Sequence, residues 1–136
     1  MIKELIQLII QQNDMLKKLL DLLKEQYNVT IKKDVYGLED IIGEIEECSK
    51  KIAELELQRR QLIGKEKLSE FIAKNANKEL EQAYNNIKNT LDLVKTQKES
   101  NELLLRQKLS FNTRMLEIMN PRREIKTYNS YGSLKK

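Results

Sequence analysis

The chain has 136 residues, of which 40% are hydrophobic, 34% charged and only 5% aromatic. That is enough for one domain with a narrow core. Four glycines and a single proline are too few for a sandwich, a barrel or a doubly wound sheet, which need turn residues at regular intervals.

With no histidine in the chain, the commonest general base and the commonest metal ligand are both missing. One cysteine can form neither an intrachain disulfide nor a thiolate metal cluster, and fits a reducing compartment. The N-terminal stretch MIKELIQLIIQQND lacks a sustained apolar region and a small-residue cleavage site, so no signal peptide is expected. No window approaches 18 uncharged apolar residues. A cytoplasmic protein without membrane insertion is the expectation. Residues 1–119 carry 20 basic and 20 acidic side chains, so the net charge of +4 comes from Arg122, Arg123, Lys126, Lys135 and Lys136 against Glu124. A nucleic-acid binder usually shows a basic stripe along a folded element, and none is evident, so no nucleic-acid partner is expected.

Helical period dominates. In the first segment Ile2, Leu5, Ile6, Ile9, Leu16, Leu19, Leu20, Leu23, Tyr27 and Ile31 fall on one broad stripe, which predicts a helix over about 2–33. Asp34 is a plausible N-cap for a second helix over about 35–63. There Leu38, Ile41, Ile45, Cys48, Ile52, Leu55, Arg59 and Leu62 are spaced alternately three and four apart, a strict seam for packing against a partner helix. Arg59 is its one polar member, with a stem suited to apolar surface and a head expected to reach water. Cys48 reads as a small hydrophobe of the seam, because no cationic cluster or histidine accompanies it to activate a thiolate. Glu46, Glu47, Glu54 and Glu56 read as a solvated face and not as paired catalytic carboxylates.

Gly64 suits a helix C-cap, and a short helix over about 66–75 carries Leu68, Phe71 and Ile72. Asn75 or Asn77 can cap a last helix over about 77–119, which ends before Pro121. The fold expected is all-α: an elongated antiparallel three-helix bundle or coiled coil over 1–119, with a short extra helix. The basic tail, 120–136, has no apolar period and is expected to be disordered. At about 1.5 Å per residue the long helices span roughly 46, 43 and 64 Å. The last is therefore too long to be covered by the second. Its end is also the more apolar, with Leu103, Leu104, Leu105, Leu109, Phe111, Met115, Leu116, Ile118 and Met119 close together. Apolar surface in excess of what a fold can bury is a candidate interaction site, and methionines let such a face accept more than one partner.

Several segments resemble the FlgN-type flagellar export chaperones. NELLLRQKLSFNTRMLEIMN (residues 101–120) is similar to the family's pattern of Asn, a Leu-rich start, an aromatic after Leu-Ser and apolar residues to the end. Tyr128-Asn-Ser-Tyr131-Gly132 resembles its Tyr-x-x-x-Gly tail signature. LELQRRQLIGK (residues 55–65) resembles its Leu-Glu-x-x-Arg-x-x-Leu run ending in Gly, with Arg59, Leu62 and Gly64 in the matching places. The Leu-rich first helix, a break and VYGLEDI follow the family layout over essentially the whole chain. A second tyrosine before the glycine, and the basic character of the tail, depart from the pattern.

The resemblance implies a chaperone that binds the C-terminal helices of the hook-associated proteins FlgK and FlgL. It would deliver them to the flagellar type III export gate, whose receptor is the FlhA cytoplasmic domain. By position, Leu104, Leu105, Lys108, Leu109, Asn112, Met115, Leu116 and Met119 would face the client, while Tyr128 and Gly132 would be offered to the gate. No cofactor, metal or enzymatic activity is implied, and a monomer or weak dimer is expected. The alternative is a structural coiled-coil protein that homo-oligomerises through the Leu38–Leu62 seam, because a seam alone does not distinguish packing within one chain from packing between chains.

Overall fold

A computed structural model describes the backbone of residues 1–119 and the side chains through Lys108. The described backbone comprises four helices and their connections: α1 (Ile2–Lys32), α2 (Val35–Ile63), α3 (Leu68–Asn75) and α4 (Lys78–Met119). The chain divides into two units, Met1–Asn101 and Glu102–Lys136. The tail expected to be disordered lies outside the described residues.

Local chemistry explains where each helix of the first unit stops and starts. α1 closes on Lys33, which takes a left-handed conformation (φ 59°, ψ 34°). Its N–H bonds to Thr30 O and that of Asp34 bonds to Val29 O, both at 3.1 Å, so two otherwise orphaned carbonyls of the last turn are satisfied. Asp34 then caps α2 as expected, its Oδ1 accepting from the Gly37 N–H at 2.9 Å. A Cβ at Gly37 would collide with that carboxylate, so the cap and the glycine require one another. Gly64 ends α2 with φ 70°. At the fourth helix the cap is Asn77, whose Oδ1 accepts from the Leu80 N–H at 3.0 Å. Asn75 instead donates back to Phe71 O at 2.7 Å.

The seam of α2 packs on α1 of the same chain. Ile41 and Cys48 are buried with Leu22, and Met15, Leu19, Val29, Leu38, Ile45 and Ile52 pack around them. The eight seam residues are all buried or half-buried. Cys48 Sγ lies 3.3 Å from Met15 O, and Gln12 Nε2 lies 3.4 Å from Ile52 O. Low numbers on α1 thus meet high numbers on α2, and the two run antiparallel as their short connection requires.

α4 draws its cover from more than α2, whose Ile45, Ile52, Leu62 and Ile63 pack against the same cluster. Leu80, Ala83, Ile87 and Val94 of α4 share one core cluster with Leu5, Ile9, Leu16 and Leu23 of α1 and with Phe71 and Ile72 of α3. Asn101 fixes the register of this pair. Its Nδ2 donates to Leu23 O at 2.7 Å and to Gln26 Oε1 at 2.8 Å, and its Oδ1 accepts from Gln97 Nε2 at 3.0 Å. Asn101 is only 3% exposed, so these bonds are what make an amide tolerable there. α4 therefore runs parallel to α1 and antiparallel to α2.

Two substitutions should stabilise the fold for opposite reasons. Lys33→Gly removes the cost of a left-handed side-chain-bearing residue. Gly43→Ala removes a glycine from the interior of α2, where an added Cβ meets nothing within 4 Å. Each is expected to raise the unfolding free energy by about 1 kcal/mol, read as a higher urea midpoint at unchanged m-value. Gly37→Ala should lower that midpoint.

Candidate functional site

The residues expected to face a client all lie on α4, which stays helical to Met119. At about 100° per residue, Leu104, Leu105, Lys108, Leu109, Asn112, Met115, Leu116 and Met119 fall within an arc of about 140°. Leu103, beside them, is 55% exposed, whereas Leu104, Leu105 and Lys108 are half-buried. The side chains from Leu109 onward, and Tyr128 and Gly132 with the whole tail, lie outside the described residues. An arc of this width, apolar at six of its eight positions with Lys108 and Asn112 among them, is the form in which one helix receives another.

The first unit holds a polar cluster that sequence reading had assigned differently. Glu56, expected on a solvated face, is a hub. Its Oε1 accepts from Arg59 Nη2 at 2.7 Å and from Gln12 Nε2 at 3.2 Å, and its Oε2 accepts from Arg60 Nε at 3.0 Å. Arg59 does not extend into water as expected: its side chain is 15% exposed and is paired with Glu56. Its Nε is buried without an acceptor among the described residues. The cause is position: Arg59 occupies a seam site, so its stem follows the core and only the guanidinium end finds a carboxylate. Gln12 was the readable signal, a polar residue filling the gap between Ile9 and Leu16 in the stripe of α1. Glu46, Glu47 and Glu54 are exposed, as expected.

This cluster borders a groove of about 780 Å³ lined by residues of α1, α2, the α2–α3 connection, the start of α3 and α4. Ile9, Leu16, Ile52, Ile63, Tyr84 and Ile87 form its apolar part. Cys48, by contrast, is 3% exposed. Burial pushes its thiol up from 9.0 against the opposing pull of Lys18, and a thiol so held is a packing residue, not a nucleophile.

Burial of Glu56 acts to raise its pKa. The hydrogen bonds from Arg59, Gln12 and Arg60, together with the Arg59 charge, outweigh that and hold the carboxyl below its ordinary 4.5. The stability this supplies is therefore fully present above pH 4.5 and is lost as the pH falls through the lower folded value. Urea titrations should show a stability difference between wild type and Glu56→Gln that is constant from pH 6 to 8 and shrinks below pH 4.5.

No curated protein and no solved structure matches the chain. A family model does: FlgN, described as FlgN protein, matches residues 1–136, the whole length. Among the described residues no helix is long and apolar enough to cross a membrane, and the helical fold accords with the segments that resembled this family. The chain belongs to the FlgN family of flagellar export chaperones.

Proposed function

We propose that this chaperone binds the C-terminal helices of hook-associated proteins of the FlgK and FlgL kind on the α4 face from Leu104 to Met119. It prevents their premature assembly and hands them to the export gate in the cytoplasm. The observation that carries this reading is the helical course of α4 to Met119, which aligns its leucines and methionines in one arc. Leu105, Leu109, Leu116 and the methionines Met115 and Met119 supply the apolar contact. Lys108 and Asn112, which fall inside the same arc, supply polar contacts among the apolar ones. Burying five or six such groups contributes about 8–18 kcal/mol gross, set against about 4–15 kcal/mol for association and ordering. The balance corresponds to binding that is firm but releasable. Tyr128 and Gly132 of the tail engage the FlhA cytoplasmic domain. The protein works by binding, with no cofactor, metal or catalytic step.

The rival reading, homo-oligomerisation through Leu38–Leu62, loses its surface to α1, which already covers Ile41 and Cys48 within the same chain. On this reading the protein is a monomer or weak dimer, and a stable dimer by light scattering would restore the rival.

Leu105→Asp combined with Met115→Asp should leave the isolated protein helical by circular dichroism and abolish co-purification with a FlgK- or FlgL-like client. Unchanged client binding would refute the assignment. Deletion of residues 121–136 should spare client binding while reducing export of the client. Loss of client binding on that deletion would move the tail into the client site.

A further inference from the structure

The groove in the first unit has no part in the client reading, and its composition is unlike the rest of the body. Residues 1–119 are neutral overall, yet the groove is bordered by Arg59, Arg60, Lys65, Lys67 and Lys88 against only Glu56 and Glu66. Both carboxylates are engaged. Glu56 holds Arg59 and Arg60, and Glu66 holds Lys74 at 3.0 Å. Lys65 and Lys67 have no ion pair among the described residues, and Lys88 Nζ rests 5.2 Å from the centre of the Tyr84 ring. The border is thus a set of cations over an apolar floor, with Arg59 Nε buried beside it and lacking an acceptor.

The floor is built of Ile9, Ile52, Ile63, Leu68 and Ile87, and Leu91 at the lip is 46% exposed. Its origin is topological. α2 and α4 both pack on α1, and the chain turns out at Gly64 before entering α3, leaving the space between α2 and α4 unfilled. A slot between two helices, floored by a third, is where a bundle takes a further helix. The volume is in the range of built ligand sites.

We propose that this groove docks an acidic amphipathic helix of a partner protein. The partner's apolar stripe covers Ile52, Leu68 and Leu91, and its flanking carboxylates meet Lys65, Lys67 and Lys88. The site is separate from the α4 face from Leu104 to Met119. It gives the chaperone a second contact that does not compete for the same residues. The lysines contribute association rate and selection by charge, and the apolar floor contributes the holding energy.

The test is fluorescence anisotropy on the full chain with a labelled helical peptide carrying Leu at i, i+3, i+4 and i+7 and Glu at its flanks. Two controls replace Glu by Lys, or Leu by Ser. The Leu/Glu peptide is expected to bind at least about tenfold more tightly than either control. Lys67→Glu with Lys88→Glu, both exposed positions, should weaken it by about tenfold or more, and so should Leu91→Glu. The Leu105→Asp, Met115→Asp protein should retain full affinity for it, which separates failure of this site from failure of the client face. Equal binding of all three peptides would overturn the proposal. So would an affinity unchanged by the lysine reversals. Tighter binding of the Leu-to-Ser peptide would also overturn it, by making the surface a simple anion site. Loss of binding in the Leu105→Asp, Met115→Asp protein would place the peptide on α4 instead.

Discussion

The first unit depends on the apolar surface of α1 being wider than one neighbour can cover. Leu22 joins Ile41 and Cys48 in one cluster, while Leu5, Ile9, Leu16 and Leu23 join residues of α3 and α4 in another. Leu19 packs against both. A helix with two apolar flanks draws a neighbour to each, because burial is non-directional and scales with area. α2 packs on both clusters and α4 on one, so α1 is the shared element on which the others assemble.

Two buried amides inside this packing, Gln12 and Asn101, find partners across helices, which makes the arrangement specific and not merely apolar. Gln12 spans from α1 to Ile52 O and Glu56, and Asn101 spans from α4 to Leu23 O and Gln26. A shift of one helix along its neighbour would bury these amides without partners, at a cost of about 1–3 kcal/mol for each group left unsatisfied. Register is therefore held by a few amides at defined positions, while the leucines supply most of the energy. A binding protein of this family needs such a scaffold so that its apolar faces remain available to others.

Much of this was legible in the sequence. The helix spans, the Asp34 cap, the Gly64 stop and the burial of Cys48 come from local rules, namely periodicity and the demands of free amides and carbonyls at helix ends. Arg59, Gly64 and Asn101, all residues of the family-like segments, each have a structural reason: a carboxylate pair, a positive φ, and a clasp between helices. Other features depend on tertiary neighbours that periodicity does not name. That α4 shares its core with α1 and is clasped to it through Asn101 is such a feature, because periodicity marks an apolar face without naming its neighbour. Glu56 looked like any exposed helical glutamate because Gln12 lies 44 residues away in the chain. The helical course of α4 to Met119 agrees with the sequence, whereas the proposal that a client binds there rests on the positions of Leu104 to Met119 along it.

The clasp at Asn101 also bears on the order in which the chain assembles. It joins residues 78 apart, whereas the Cys48–Met15 contact joins residues 33 apart. Closing the longer loop costs about 0.8 kcal/mol more in chain entropy. The α1–α2 hairpin is thus the cheaper pairing to form. α4 then docks on a surface the hairpin has already made, and by the same ordering it is the element that can leave without dissolving its foundation.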